Sequence, residues 1–225
     1  MNRLLHFYYS SIGKKVIMAL SGVVLFGFVT AHMVGNLKIY QGPEKINVYS
    51  EFLREVGAPV FGAGELLWIA RIVLLVSVAL HIITAVQLTR ENRNARRDGY
   101  RLKQHIEASY AARTMIWSGP ILALFVIYHI LHLTTGSMHP SFNPEDAYRN
   151  LVNGFQVWYV SVFYIIALVA LGYHMIHGVW SMFQSLGLNN TPYDRIIRNF
   201  AMIVTAAVVI GNISFPLSVL LGIVS

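Results

Sequence analysis

The chain has 225 residues, of which 56% are hydrophobic and only 12% carry a charged side chain. A soluble domain typically carries about 25% charged residues, so the composition excludes an ordinary soluble protein and indicates an integral membrane protein. The absence of cysteine excludes disulfides and thiolate-bound iron–sulfur clusters. The net charge of +7 comes from basic loops between apolar segments, so we expect a lipid bilayer and no nucleic acid as its partner.

Five apolar stretches are long enough to cross about 30 Å of hydrocarbon as helices that rise 1.5 Å per residue. In chain order we predict spans over about 15–37, 64–89, 114–136, 155–185 and 199–223. The first stretch is longer than the apolar region of a typical signal peptide and lacks an A-x-A cleavage site, so we predict a retained helix. The predicted fold class is an all-α membrane protein, with residues 1–225 forming a single transmembrane domain.

The connections between the spans carry fewer structural signals. A short amphipathic helix is predicted from Tyr49 to Val56, followed by a stretch rich in glycine and proline over 57–64. The connection over 137–154 contains Pro140, Pro144 and Gly154. Trp158 and Tyr159 follow it, as expected for an aromatic belt at the membrane interface.

Basic residues are distributed unequally between the two ends of the predicted bundle. One end has twelve, namely Arg3, Lys14, Lys15, Arg90, Arg93, Arg96, Arg97, Arg101, Lys103, Arg113, Arg195 and Arg198. The other end has four, namely Lys38, Lys45, Arg54 and Arg149. The positive-inside rule therefore predicts a cytoplasmic N-terminus and a C-terminus on the outer side.

Histidine occurs deep inside four of the five predicted spans. The residues are His32, His81, His129 with His132, and His174 with His177. A polar side chain within a bilayer is costly and marks a functional site by default. Imidazole is also a common axial ligand of haem iron, so four such helices could supply two sites with two histidines each. Without cysteine, haem would have to be held non-covalently.

The depth of each histidine decides which helices can pair. His32 lies 17 residues beyond Lys15 and His129 lies 16 beyond Arg113, so both lie roughly 25 Å from the basic end. On the descending spans, His81 and His174 each lie about ten residues from that end. The sequence therefore predicts an outer pair, His32 with His129, and an inner pair, His81 with His174.

Two of the histidine motifs leave an ambiguity. His129 and His132 are three residues apart, as are His174 and His177, so each pair shares one face of its helix. Depth cannot distinguish positions one turn apart. The second histidine of each motif could ligate iron, or could hydrogen-bond a haem propionate or a quinone. Intramembrane histidines can also serve only as hydrogen-bonding residues between helices.

Several motifs resemble one known family of membrane cytochromes. They are SSIGKK at 10–15, AHMVGNLKIY at 31–40, ALHIITAVQL at 79–88, YHILHLTTG at 128–136, HPSF at 139–142 and YHMIHGVWSMFQSLG at 173–187. The chain resembles the single-subunit, five-helix, di-haem cytochrome b558 membrane anchor of succinate dehydrogenase and fumarate reductase. The last motif is the most specific, and the resemblance extends over all five spans.

The resemblance implies two b haems, and a quinone, usually menaquinone, as the electron partner. It implies a flavoprotein subunit and an iron–sulfur subunit on the cytoplasmic face of the cell inner membrane, with the dicarboxylate chemistry in the flavoprotein. Electrons would pass from the iron–sulfur subunit through the inner and outer haems to quinone, or in reverse. The family's four axial ligands map onto His32, His81, His129 and His174, with His132 and His177 as alternatives.

Arg71 is the only charged residue in the interior of a predicted span, since Lys15 and Glu65 lie at span ends. It lies ten residues before His81 and therefore toward the outer side. We expect it to pair with a propionate of the outer haem or to polarise quinone. The alternative is an arginine whose guanidinium extends to the membrane interface.

Two other classes of protein share part of this pattern. The haem b subunit of another quinone-linked dehydrogenase would have two histidine pairs but not the HxxHGVWS run. A haem-free transporter could use intramembrane histidines as proton relays. A reduced-minus-oxidised spectrum of the purified protein distinguishes the transporter from either cytochrome.

Overall fold

The computed structural model describes residues 3–58, 60–95 and 110–225, and these residues are almost entirely helical. The α-helices are α1 Arg3–Tyr9, α2 Ser11–Asn36, α3 Pro43–Glu55, α4 Glu65–Asn94, α5 Tyr110–Leu133, α6 Ala147–Gln156, α7 Trp158–Ser185 and α8 Thr191–Leu220. A 3-10 helix, Leu37–Gln41, continues α2. Part of the predicted basic loop, namely Arg96, Arg97, Arg101 and Lys103, lies outside the described residues.

Five of the helices are long and apolar enough to cross a membrane. They cover Ser11–Gln41, Glu65–Asn94, Arg113–Leu133, Trp158–Ser185 and Thr191–Leu220, with mean hydropathy between 1.7 and 2.4 in their most apolar windows. The predicted all-α membrane protein with five transmembrane helices is confirmed. Its orientation in the bilayer stays a prediction.

The helix ends differ from the predicted spans where local capping was not recognised. Helix α8 begins eight residues earlier than predicted because the Asn190 side chain accepts a hydrogen bond from the Tyr193 N–H and Pro192 occupies the first turn. Helix α7 begins at Trp158 rather than 155 because the preceding residues belong to α6. Helix α5 ends at Leu133, three residues before the predicted end.

Two short amphipathic helices cover the end of the bundle where the chain terminates, which we call the carboxyl end. Helix α3 begins at Pro43, six residues before the predicted start. Helix α6 lies within the connection over 137–154, where no helix was predicted, and the Asp146 carboxylate caps it by accepting the Arg149 N–H at 3.0 Å. Both helices bury apolar residues, among them Ile46 and Phe155, in the larger apolar core.

The long helices form two layers. Helix α2 packs along α4, and α5 packs along α7, which also contacts α2 and α8. The closely packed pairs in the described part of the chain do not include α2 with α5 or α4 with α7. These are the helix pairs on which the depth-matched histidines lie, so the histidines face each other across the two layers.

The opposite end of the bundle, which we call the amino end, joins α2 to α4 through polar contacts. The Lys14 ammonium forms an ion pair with Glu91 and also donates to the Tyr9 carbonyl at 3.3 Å. The Lys14 side chain is 7% exposed. The start of α2 is therefore fixed to the end of α4 by a charge pair with one buried member.

Candidate functional site

The outer histidine pair lies between α2 and α5. The ring centroids of His32 and His129 are 5.9 Å apart and the rings are nearly perpendicular, at 87°. Phe28 stacks on His32 with the two ring centroids 5.3 Å apart, and Phe125 packs 5.8 Å from His129. The outer pair therefore consists of one histidine from each layer, and a phenylalanine ring packs against each of them.

The inner pair lies between α4 and α7, toward the amino end. The ring centroids of His81 and His174 are 6.1 Å apart, with 56° between the ring planes. Both rings are half-buried. The structure thus brings together the same two pairs of residues that the depth of the histidines matched.

The spacing of both pairs can be compared with the requirement for a shared metal ion. Imidazole nitrogen lies about 2 Å from a bound metal and about 1 Å from its own ring centre, so two imidazoles on opposite sides of one ion have centroids about 6 Å apart. The observed 5.9 Å and 6.1 Å meet this requirement. The separation of each pair is therefore compatible with one metal ion, such as haem iron, between its two imidazoles.

The hydrogen bonds of His81 determine which ring nitrogen is free. Its Nδ1 lies 3.1 Å from the Met18 carbonyl oxygen and 3.2 Å from the Ser21 hydroxyl. A carbonyl can only accept, so Nδ1 carries the proton and Nε2 keeps its lone pair. This arrangement, an Nδ1–H bonded to a backbone carbonyl, is typical of metal-ligating histidine.

His174 has a comparable partner on the neighbouring helix of its own layer. Its Nδ1 lies 3.3 Å from the Ser118 hydroxyl on α5. Ser118 is almost completely buried, at 3% exposure. A cavity of about 310 Å³ lies between α5 and α7 on this side and is lined by Ser118, Trp117 and Tyr173 among others. The His174 ring is therefore held from α5 while it faces α4.

His129 and His132 have different surroundings, although they share a helix face. Their Nδ1 atoms lie 3.3 Å and 3.0 Å from the same Tyr164 hydroxyl. Beyond that shared hydroxyl, His129 faces His32. His132 is completely buried, and a Cβ placed on Gly154 would lie only 2.8 Å from its Cε1. The backbone of α6 thus closes over His132, which leaves His129 facing the other layer.

No described contact joins His177 to a histidine of the other layer. Its ring packs 6.0 Å from the Trp180 ring, and its buried Nδ1 has no hydrogen-bond partner among the described residues. The Trp180 indole N–H donates to the Asp194 carboxylate, which also accepts from Asn189 and Arg198. His177 therefore lies next to a polar cluster at the amino end.

Arg71 lies on the outside of the bundle. The residue is exposed, and its guanidinium lies 4.9 Å from the centre of the Trp68 ring, itself 61% exposed. An arginine stacked on an exposed tryptophan is typical of the membrane interface. This position favours the interfacial alternative over a partner for the haem propionate.

His139, in the connection between α5 and α6, makes two hydrogen bonds within the protein. Its Nδ1 accepts from the Ser141 N–H at 3.0 Å, and its Nε2 donates to the Asn150 carbonyl at 2.8 Å. Both ring nitrogens are therefore used within the protein. His139 ties the α5–α6 connection to α6 and packs against the His132 ring at 5.0 Å.

Sequence reasoning missed Tyr164 as a member of this site. Its ring is 4% exposed and is packed by Phe125 and Phe155, each with its centroid 5.0 Å away. The predicted fourth span contains three tyrosines, each compatible with ordinary packing, so the sequence contains no signal for the role of Tyr164. Its spacing from the third-span histidines along the chain also gives no indication of contact.

In the described part of the chain, no group of three or more His, Cys, Asp or Glu side chains could hold a metal ion alone. Haem does not require such a group, because the protein supplies only the axial ligands. The histidine pairs are consequently the candidate cofactor sites.

The fold and these residues define a multi-pass membrane protein whose interior histidines are paired across two helix layers. Residues 89–212 match the family described as the succinate dehydrogenase/fumarate reductase transmembrane subunit, and the chain belongs to that family. The match contains His129, His132, His174 and His177 and lies beyond His32 and His81. No curated protein and no solved structure matches the chain.

Proposed function

We propose that this chain is the membrane anchor and di-haem b cytochrome subunit of succinate:quinone oxidoreductase, of the single-subunit cytochrome b558 type. The single observation that carries the proposal is the pairing of four histidines across two layers, with centroid separations of 5.9 Å and 6.1 Å. Membership of the transmembrane subunit family supports it independently.

His32 and His129 would hold the outer haem, and His81 and His174 the inner haem. Two considerations support His129 over His132: it faces His32, and α6 encloses His132. The contact between His81 and His174 supports His174 over His177. When bound, each haem supplies a centre that accepts and releases one electron.

The chain's own residues would orient these ligands. Met18 and Ser118 bind the Nδ1 atoms of the inner pair, which leaves each Nε2 directed away from its hydrogen-bond partner. Phe28 and Phe125 cover the outer pair with apolar rings. Apolar, low-dielectric surroundings and hydrogen bonds to the ligand are the means by which a protein adjusts a haem potential.

The rest of the proposed assembly depends on orientation. The excess of basic residues at the amino end supports a cytoplasmic N-terminus and an iron–sulfur and a flavoprotein subunit bound on that side. The membrane would be the cell inner membrane, and the electron partner a quinone, menaquinone by resemblance. The dicarboxylate chemistry would take place in the flavoprotein subunit.

The decisive measurement is the ratio of haem b to protein in the purified subunit, together with the identity of its co-purifying partners. We expect two haem b per chain, b-type bands in the reduced-minus-oxidised spectrum, and co-purification of a flavoprotein and an iron–sulfur protein. A folded but colourless protein would exclude the proposal and favour the transporter. Two haems with a different dehydrogenase would favour the other class of cytochrome.

A further inference from the structure

We propose that Tyr164 is a positioning residue for the outer haem, and that it controls the potential of that haem through a directional hydrogen-bond chain from His129 to His132. The inference rests on the proposed function, since it takes His129 as an iron ligand. It assigns a role to two buried residues, Tyr164 and His132, that ligation alone leaves unexplained.

The first step concerns the isolation of the Tyr164 hydroxyl. The Tyr164 ring is 4% exposed and is held by the aromatic rings of Phe125 and Phe155. The hydroxyl bonds to two ring nitrogens, at 3.3 Å from His129 and 3.0 Å from His132. Because the side chain is packed and buried, its hydroxyl is fixed between the two imidazoles.

The second step concerns the direction of the two hydrogen bonds. If His129 ligates iron through Nε2, its Nδ1 carries a proton and donates to the Tyr164 oxygen. The single proton of the hydroxyl is then available for His132, whose Nδ1 accepts it in the neutral tautomer that carries its own proton at Nε2. The chain therefore runs in one direction, from His129 through Tyr164 to His132.

The third step concerns how His132 is held. The Tyr128 ring stacks on it with ring centroids 5.4 Å apart at an angle of 16°, and His139 packs on it at 5.0 Å. The Gly154 backbone of α6 closes the remaining side. The Nε2 atom, which lies on the Gly154 side, is buried and has no partner among the described residues. His132 is thus a rigid acceptor that fixes the hydroxyl proton of Tyr164.

The consequence follows from the cooperativity of hydrogen bonds. A hydroxyl that donates to one imidazole becomes a stronger acceptor for the other. A stronger acceptor at Nδ1 makes the ligand nitrogen more basic, which stabilises oxidised iron and lowers the potential. At the inner pair, the described partners of the Nδ1 atoms are instead a backbone carbonyl and a serine hydroxyl.

The test is a redox titration of the purified holoprotein, monitored in the haem absorption bands. We expect Tyr164→Phe to raise one of the two midpoint potentials and leave the other unchanged. The potential that moves is expected to be the one lost in His129→Leu. His132→Leu removes only the second acceptor and should raise the same potential by a smaller amount, whereas His132→Asn restores an acceptor and should reverse part of that rise.

Tyr128→Phe is the matched control, because it removes a hydroxyl from the same aromatic cluster without touching the Tyr164 bonds. Its two potentials should equal those of the unmodified protein. If Tyr164→Phe fails to fold, the comparison of His132→Leu with His132→Asn carries the test alone.

Two haems with unchanged potentials in Tyr164→Phe and His132→Leu would overturn the inference and leave the proposed function standing. Loss of the outer haem in His132→Leu would identify His132 as the ligand and also overturn it. An unmodified protein without haem would instead overturn the proposed function.

Discussion

The Nδ1 atom of His81 on α4 lies 3.1 Å from the carbonyl oxygen of Met18 on α2. A side chain of one helix is therefore oriented by the backbone of its neighbour within the same layer. The same carbonyl also accepts from the Ser21 hydroxyl at 3.0 Å. The orientation of His81 depends on the packing of α2 against α4. Under the proposed ligation, substitutions at that packing surface should therefore change the binding of the inner haem.

Gly22 gives a direct test of this dependence. A Cβ at Gly22 would lie 3.5 Å from Cε1 of His81, which is ordinary van der Waals contact. We expect Gly22→Ala to retain two haems per chain, and Gly22→Leu to lose the inner haem because its branched side chain displaces the imidazole. Haem-to-protein ratios measure both. Two haems in Gly22→Leu would contradict the placement of the inner site.

A substitution at Gly154 tests whether His132 has a structural role and does not ligate iron. A Cβ at Gly154 would meet the His132 ring at 2.8 Å, so Gly154→Ala forces either α6 or the ring to move. We expect a loss of about 1–3 kcal/mol in stability, seen as a lower thermal unfolding temperature in detergent, with both haems retained. Gly119→Ala, where a Cβ meets nothing within 4 Å, is the control and should not be destabilised.

The ion pair of Lys14 and Glu91 is partly buried, with side chains 7% and 41% exposed. Removal of Glu91 leaves the buried ammonium without its counter-charge. We expect Glu91→Leu to cost about 1–2 kcal/mol, less than a fully buried pair because Glu91 reaches solvent. The double variant Lys14→Met/Glu91→Leu should be more stable than the sum of the single effects predicts. Strict additivity in thermal unfolding would show that the pair contributes nothing.

Asp146 connects the stability of α6 to pH. The Arg149 backbone N–H, together with the Asn47 amide, holds the pKa of the Asp146 carboxyl below its usual value. Its stabilising contribution is therefore complete above the unfolded pKa of about 4, and it disappears as the pH falls through the lower folded pKa. As a helix cap it should be worth about 1 kcal/mol at neutral pH.

The cap can be measured as the difference in unfolding temperature between the unmodified protein and Asp146→Ala. This difference should decrease below about pH 4. Asp146→Asn caps the helix without titrating, so its advantage over alanine should persist in acid. An advantage of the unmodified protein that does not depend on pH would contradict a role for the charged carboxylate.

Arg71 lies against Trp68 on the exposed side of α4. We expect Arg71→Leu to leave both haem midpoint potentials unchanged, because no described contact joins the guanidinium to either histidine pair. The measurement is the same redox titration, with His129→Leu as the positive control for a changed outer haem. A shift of one potential in Arg71→Leu would support the propionate role expected from the sequence.

The long apolar stretches and the histidine depths could be predicted from the sequence, because both follow from a constant rise per residue along straight helices. Asn190 and Asp146 were not recognised as caps, so the early start of α8 and the whole of α6 were not predicted. The choice between His129 and His132 required the position of α6. The depth estimated from the sequence cannot distinguish two histidines that lie one helical turn apart. The enclosure of His132 by Gly154 depends on the tertiary structure and could not be predicted.

Each histidine pair takes one ring from α2 or α4 and the other from α5 or α7, so each pair joins the first part of the chain to the second. During synthesis, His32 and His81 enter the membrane before α5 and α7, which carry the histidines that face them. Under the proposed ligation, haem cannot be held from both sides until α5 and α7 have been inserted. Cofactor insertion would then be a late step in biogenesis that joins the α2–α4 hairpin to the α5–α7 hairpin. A chain arrested or truncated before α5 would show no haem absorbance.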